Sequence, residues 1–456
     1  MEYLIIGASA AGISAVETIR SVDKNGKITV VSDENYPIYS RCLLSYYLAG
    51  AIDEKKLKYR ENDFYTKYNV NAIIGKKVEE VLKEKKVQLT GGTSLQFDKL
   101  LIATGSRSKT EKIPGAQLEG VFGLRNIEDA KGIEKRLEKT KTAVMLGGGL
   151  IGLRAAYALH KRGVKVIVVV KSKQVLSQIL DEEGASFVQK EMEKQGIKIL
   201  TGLSATEIVG NYDVNGVMLE NGVKIDCEIV VIGKGVQANT ELVKGTDIKT
   251  EWGIIVDDEL KTTVSDIYSA GDVAQTSDLI TGEKTINALW PNAVIQGKIA
   301  GLNMAGKNIE RSEIPEAPAP VGRGFTPRSG VKYDGSLAMN SIEFFGLPTI
   351  SYGITKPKGE GYEFIVRKNE IKKNYKKLVL KDNKIIGFVL VGDVDNAGVY
   401  GSLLKKKIDV LSIKTGLLEN NFNFAKILPL IKEHKDKFFE KEYDEVFPRG
   451  INAVKR

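Results

Sequence analysis

The sequence predicts an α/β protein built from two strand–glycine turn–helix–strand units and a third region of different character. Three observations carry this. Tyr3-Leu-Ile-Ile-Gly7-Ala-Ser9-Ala10-Ala11-Gly12 is a short apolar run ending in a glycine turn, after which Ile13, Val16 and Ile19 recur at helical spacing. Thr142-Ala-Val-Met-Leu-Gly147-Gly-Gly149-Leu150-Ile151-Gly152 repeats the pattern about 140 residues later. Beyond residue 320 no glycine fingerprint occurs, and strand-like runs alternate with charged helical ones.

In the first unit, Gly7 permits the tight turn and Gly12 lets the helix pack closely on the strand. The helix then opens with free N–H groups suited to a pyrophosphate, around Ser9, Ala10 and Ala11. Ser9 stands where the dinucleotide fingerprint has its middle glycine, and its small side chain leaves room for phosphate. Lys27-Ile-Thr-Val-Val31 is the second strand, followed by Asp33 and Glu34. A carboxylate after this strand holds ribose hydroxyls; both residues are candidates, and the sequence does not choose between them.

Residues 36–48, Tyr-Pro-Ile-Tyr-Ser-Arg41-Cys42-Leu-Leu-Ser-Tyr-Tyr-Leu, form a loop running into a helix. Its aromatic and polar content suits a loop beside a flat ring system. Residues 70–100 alternate in short strands around a Gly91-Gly92 turn. Lys99-Leu-Leu-Ile-Ala-Thr104-Gly105-Ser106 is another apolar strand ending in a small turn, and Ile113-Pro-Gly115 marks a boundary.

The second unit occupies roughly 115–230. Its Gly147-x-Gly149-x-x-Gly152 is a complete fingerprint, with a helix expected from Leu153 to Arg162 and a strand over Gly163–Val170. Ile229-Val-Val-Ile-Gly233 closes it. Asp266-Ile-Tyr-Ser-Ala-Gly271-Asp272 is a strand leading to an acidic turn. Trp290-Pro-Asn292 then precedes a helix over Ala293–Ala305, and residues 313–320 are a proline-rich linker.

Composition narrows the function classes. A chain of 456 residues exceeds one core and suggests two or three domains. No apolar stretch approaches the ~20 residues of a membrane span, and the chain opens directly into a strand without a signal-peptide pattern, so a cytoplasmic protein is expected. Cys42 and Cys227 stand far apart and there are only two histidines, which excludes a local redox dithiol and argues against a metal centre of the chain's own. The net charge is +9, and residues 360–456 hold 20 Lys/Arg against 14 Asp/Glu. This is a solvated lysine-rich surface or a docking face for an acidic partner. Nucleic acid is not expected, because the charge is spread and accompanies no binding motif.

Together these motifs resemble the FAD-dependent pyridine nucleotide–disulfide oxidoreductase superfamily. The resemblance is to the branch of NAD(P)H-dependent rubredoxin and ferredoxin reductases, nitrite reductase flavin domains and coenzyme A-disulfide reductases. It implies two Rossmann-like dinucleotide-binding domains. The FAD domain (1–112 and 234–315) is split by an inserted NAD(P) domain (113–233), and a C-terminal α+β dimerisation domain (321–456) follows. It assigns FAD to Gly7, Ser9, Ala10, Ala11, Gly12, Asp33 or Glu34, Arg41, Thr104, Gly105, Gly271, Asp272 and Asn292. It assigns NAD(P) to Gly147, Gly149, Leu150, Ile151, Gly152, Lys171 and Gly233. The family often has Glu at the end of the second nicotinamide-domain strand, where this chain has Val170 followed by Lys171-Ser172-Lys173. That departure removes a reason to reject a 2′-phosphate and leans towards NADPH while leaving NADH open. A second departure is Arg154, where relatives commonly carry Glu.

The implied function is electron transfer from NAD(P)H through flavin to a small acidic iron–sulfur carrier or iron–sulfur subunit, by a homodimer. The alternative is a thiol enzyme, a coenzyme A-disulfide reductase or NADH oxidase/peroxidase using Cys42. Relatives of that kind carry Cys-Gly-Leu-Pro-Tyr-Tyr, whereas here the run is Cys42-Leu-Leu-Ser-Tyr-Tyr. As a redox thiol, Cys42 would be favoured in its charged form by Arg41. Otherwise it is a small packing residue.

Overall fold

The computed structural model describes residues 1–109, 113–306 and 330–437; the proline-rich linker at 313–320 lies outside them. Strand β1 (Glu2–Ile6) is buried at four of its five residues and runs parallel to β2 (Lys27–Ser32). Such runs suit a central parallel strand, covered on both faces. Between them, helix α1 (Ala10–Val22) buries Ile13, Val16 and Ile19. The chain continues through α2 (Leu44–Leu48), β3 (Val70–Ile74) and β4 (Lys99–Ile102).

It then crosses to a second parallel sheet. β5 (Val121–Phe122) and α3 (Ile127–Arg136) precede β6 (Thr142–Leu146), α4 (Leu150–Lys161), β7 (Lys165–Val170), β8 (Lys198–Thr201) and β9 (Ile229–Ile232). The sheet order is β8-β7-β6-β9-β5. Helix α4 begins at Leu150, three residues before the expected start. The fingerprint glycines therefore supply the helix's cap and first turn, with Gly149 as N-cap. Helix α3 opens on a capping box, in which Asn126 accepts from the Asp129 N–H and Asp129 accepts from the Asn126 N–H.

On its return the chain adds β10 (Ile267–Ser269) to the first sheet, giving the order β10-β4-β1-β2-β3. The outward and return connections are zipped together, since Ser106–Ser108 pairs antiparallel with Val236–Ala238. Helix α5 (Trp290–Ala305) starts three residues earlier than expected, with Pro291 in its first turn, a place proline tolerates. It crosses α1 at very close range: a Cβ on Gly297 would lie 2.1 Å from the Ala11 carbonyl oxygen. Only glycine admits that approach.

Contacts gather the described chain into two units, one of residues 1–178, 185–306 and 330–336, the other of residues 179–184 and 337–437. The first holds both parallel sheets. The second is organised on an antiparallel sheet of β11 (Met339–Phe344), β12 (Leu347–Gly353), β13 (Glu363–Asn369), β14 (Asn374–Lys381) and β15 (Lys384–Val391), in the order β11-β12-β15-β14-β13. The buried faces of β14 and β15 pack with Tyr352, Phe388, Tyr400 and Phe422; Tyr352 and Phe388 stack at 5.2 Å. Asp181 is held within this unit by the Tyr375 hydroxyl at 2.6 Å and the Lys377 ammonium at 2.8 Å. Among the described residues no helix is long and apolar enough to cross a membrane.

Candidate functional site

The first glycine turn is locked by contacts that exclude side chains. Gly7 has φ +110°, and a Cβ there would lie 2.2 Å from the Ala103 carbonyl oxygen at the exit of β4. A Cβ on Gly12 would lie 1.9 Å from the Gly7 carbonyl oxygen. Ser9 caps α1 in an extended conformation without bonding its hydroxyl to the helix, and the first turn holds no acidic residue. Its N–H groups thus face outward with nothing negative beside them, an arrangement suited to a phosphate.

This turn opens on a cavity of roughly 750 Å³. Gly7, Ser9, Ala10, Ala11, Asp33, Glu34, Arg41, Cys42, Thr104, Gly105, Gly271 and Asp272 all line it, although they come from four separated stretches of chain. Ile151, from the first turn of α4 in the other parallel-sheet unit, lines the same cavity. Two FAD assignments are not part of this wall. Gly12 packs beneath the turn, and the buried Asn292 turns its amide to the Asn287 carbonyl at 3.2 Å. Leu289, Trp290 and Ala293 present the α5 end of the wall instead.

The two acids after β2 differ. Glu34 is held by Arg41 at 2.5 Å and by the Tyr39 hydroxyl at 2.8 Å. Asp33 is exposed and makes no hydrogen bond or ion pair among the described residues. Arg41 also donates to the Arg125 carbonyl at 2.9 Å. Its guanidinium is therefore committed to the loop's own framework.

Cys42 is exposed and lines the cavity. Burial by the surrounding protein pushes its thiol above the ordinary value, outweighing the nearby Ser40 and Arg125, which favour the thiolate. Arg41, expected beside this thiol as an activating cation, is ion-paired with Glu34. Cys227 is buried in the second sheet's core, and burial pushes its thiol to about 12.

Sequence reasoning missed Arg125. Its guanidinium bonds the Asp272 carboxylate, the Ser106 hydroxyl at 2.8 Å and the Ser106 carbonyl at 3.1 Å. Asn239 was missed too: it exchanges hydrogen bonds with Thr104, accepting at its carbonyl at 2.8 Å and donating from its amide at 2.9 Å. Both lie on segments flanking the crossover strands, and no local pattern marks them.

The second glycine turn is built on the same plan. Gly147 has φ +122°, and a Cβ there would meet the Gly233 carbonyl oxygen at 2.5 Å; one on Gly152 would meet the Gly147 carbonyl oxygen at 2.1 Å. Gly149 and Leu150 begin α4 over this turn, with no acid in its first turn. Lys171 follows the last residue of β7. Arg154, from α4, donates to the Ser45 hydroxyl of α2 at 3.0 and 3.1 Å and stacks on Tyr46 at 4.4 Å. The departure at residue 154 thus ties the second unit's helix to the cavity loop.

A family model described as pyridine nucleotide-disulphide oxidoreductase matches residues 1–297, and one described as rubredoxin NAD+ reductase C-terminal domain matches residues 339–408. The chain is 36% identical to an NADH oxidase of Methanocaldococcus jannaschii, over 91% of this chain and 90% of the relative. It is 30% identical to the epsilon subunit of NADH-dependent phenylglyoxylate dehydrogenase of Aromatoleum evansii, over 92% and 95%. The ferredoxin reductase for the CYP199A2 system of Rhodopseudomonas palustris superposes with a TM-score of 0.77 at 26% identity, covering 90% of this chain and 96% of that one.

Proposed function

The chain belongs to the pyridine nucleotide-disulphide oxidoreductase family, and on that premise we propose that it is an FAD-dependent NAD(P)H oxidoreductase that passes electrons to a small acidic iron–sulfur carrier or iron–sulfur subunit. One observation carries the reading: Ile151, from the helix over the second glycine turn, lines the same cavity as Gly7–Ala11 and Asp272. A reduced nicotinamide held by one unit is thereby brought to a flavin held by the other. A bound flavin accepts electrons in pairs and releases them singly, which is the chemistry needed between a nicotinamide and an iron centre.

The residues fit that cofactor. The Gly7–Ala11 turn offers N–H groups to the pyrophosphate. Asp33, unengaged among the described residues, takes the adenosine ribose hydroxyls. Asp272, steered by Arg125, takes the ribityl hydroxyls. Glu34, Tyr39 and Arg41 brace the loop against them. The proposed acceptor is consistent with the net charge of +9 and with the relatives named as a ferredoxin reductase and as a subunit of a larger dehydrogenase. The reading includes a homodimer formed through the C-terminal unit, whose edge strand β13 exposes Phe364 and Val366.

Cys42 takes no part in this reading, in which the flavin is the reactive group. The test is anaerobic reduction of the holoenzyme with NADH or NADPH, followed by ferredoxin, rubredoxin, coenzyme A disulfide and oxygen as acceptors. Cys42→Ser should retain flavin reduction and iron–sulfur transfer within about two-fold. Loss of turnover with every acceptor, with flavin still reduced, would return the assignment to the thiol enzymes.

A further inference from the structure

Resting on this reading, we propose that Arg154 is a positioning residue for hydride transfer: it clamps the first turn of α4 to the loop that carries Cys42. The Arg154 Nε and Nη2 both donate to the Ser45 hydroxyl, at 3.1 and 3.0 Å. The guanidinium also lies over the Tyr46 ring, 4.4 Å from its centroid. Ser45 is buried, so the contact is shielded from water on the α2 side. A planar guanidinium held by two donors and one ring face has little freedom to turn.

The place of Arg154 on its helix gives this contact its reach. Ile151 and Arg154 are three residues apart and lie on one face of α4. Ile151 lines the cavity, and Arg154, one turn further on, is fastened to α2. Cys42 lines the same cavity and stands two residues before α2 begins. The far end of α2 has its own fastenings. The Tyr47 hydroxyl donates to Glu134 of α3, and Arg162, at the C-cap of α4, donates to the Leu48 carbonyl at 3.2 Å. Arg154 serves the end of α2 next to the cavity.

Hydride transfer is steep in distance. The reacting atoms must lie about 3–3.5 Å apart, and a misplacement of about 1 Å costs on the order of 100-fold in rate. In the proposed reading the coenzyme is held by the turn that opens α4, and the flavin by the Gly7 turn and its loop. A roll or slide of α4 changes the distance between them while leaving both glycine turns intact. The hydrogen bonds to Ser45 resist the slide, and the Tyr46 face resists the roll.

The experiment combines anaerobic stopped-flow reduction by NADH and by NADPH with amide hydrogen exchange of the protein with and without FAD. Arg154→Ala should keep its FAD, lower the reduction rate at saturating coenzyme at least about ten-fold, and leave the coenzyme's Kd within about three-fold. Arg154→Lys, which keeps a cation for the ring and a donor for Ser45, should recover about three-fold of that loss. Ser45→Ala should slow reduction too, and the double variant should lose less than the product of the two losses. Arg162→Ala should lower the melting temperature and keep the rate within about two-fold. Amide exchange in α2 and over residues 150–153 should rise about ten-fold in Arg154→Ala.

An unchanged reduction rate in Arg154→Ala with normal flavin content overturns the proposal, and so does a loss confined to the coenzyme's Kd. If Arg154→Ala does not hold flavin, wild-type rates in both Arg154→Lys and Ser45→Ala overturn it. If neither coenzyme reduces the wild-type flavin, the functional reading fails, and the exchange measurement still decides the clamp: faster exchange in both segments upholds it, and unchanged exchange overturns it.

Discussion

The Arg125 guanidinium bonds the carboxylate of Asp272 across 147 residues of sequence. Arg125 stands between β5 and α3, and Asp272 lies three residues beyond β10, the strand that completes the first sheet. Both are largely shielded, with side-chain exposures of 22% and 13%. The turn expected to hold the flavin's ribityl chain is therefore tied to the segment between β5 and α3.

This pairing predicts coupled effects on cofactor retention. Asp272→Ala and Arg125→Leu should each weaken FAD binding by about 1–3 kcal/mol. The double variant should lose less than the sum, because one interaction is removed in both backgrounds. Fluorescence titration of apoprotein with FAD measures all three. Strictly additive losses would show that Arg125 does not act through Asp272.

The two acids after β2 should separate by phenotype. Asp33→Ala should cost about ten-fold in FAD affinity, from the loss of one good hydrogen-bond acceptor, and leave thermal stability nearly unchanged. Glu34→Ala should lower the melting temperature instead, since it leaves the part-buried Arg41 without its carboxylate. The reverse pattern would reassign the ribose to Glu34.

Asp181 predicts an acid-sensitive contribution to the C-terminal unit. Burial opposes its ionisation, but hydrogen bonds from Lys377, Tyr375 and the Gly184 N–H outweigh this and hold its pKa below the ordinary value. A depressed folded-state pKa stabilises above the unfolded value of about 3.9 and loses that stabilisation as pH falls through the folded value. Asp181→Asn should destabilise by about 1–3 kcal/mol at pH 7 in urea unfolding. The gap from wild type should narrow below about pH 4. A gap independent of pH would mean that the carboxylate's charge contributes nothing.

Much of this was legible in the chain itself. Both glycine fingerprints, Asp33 and Glu34 as the acids after β2, and the Ser-Ala-Gly271-Asp272 turn are local patterns. Local patterns are readable because close backbone packing admits few residue types: Gly7 and Gly147 sit where any Cβ would strike a carbonyl. The apolar runs of β1, β6 and β9 likewise announce strands buried on both faces. The helix starts at Leu150 and Trp290 were set too late in the chain, because periodicity marks the apolar face and not the cap.

What only the tertiary structure decided is which side chains meet. The sequence offered Asp33 and Glu34 as equals; in the structure Arg41 and Tyr39 engage Glu34, while Asp33 has no partner among the described residues. It placed Arg41 beside Cys42 as an activating cation; the structure pairs that guanidinium with Glu34. It gave no sign of Arg125, which meets Asp272 across the fold. Charges separated widely along the chain interact through space and solvent exclusion, and both are created by the packing of one sheet's edge against another's turn.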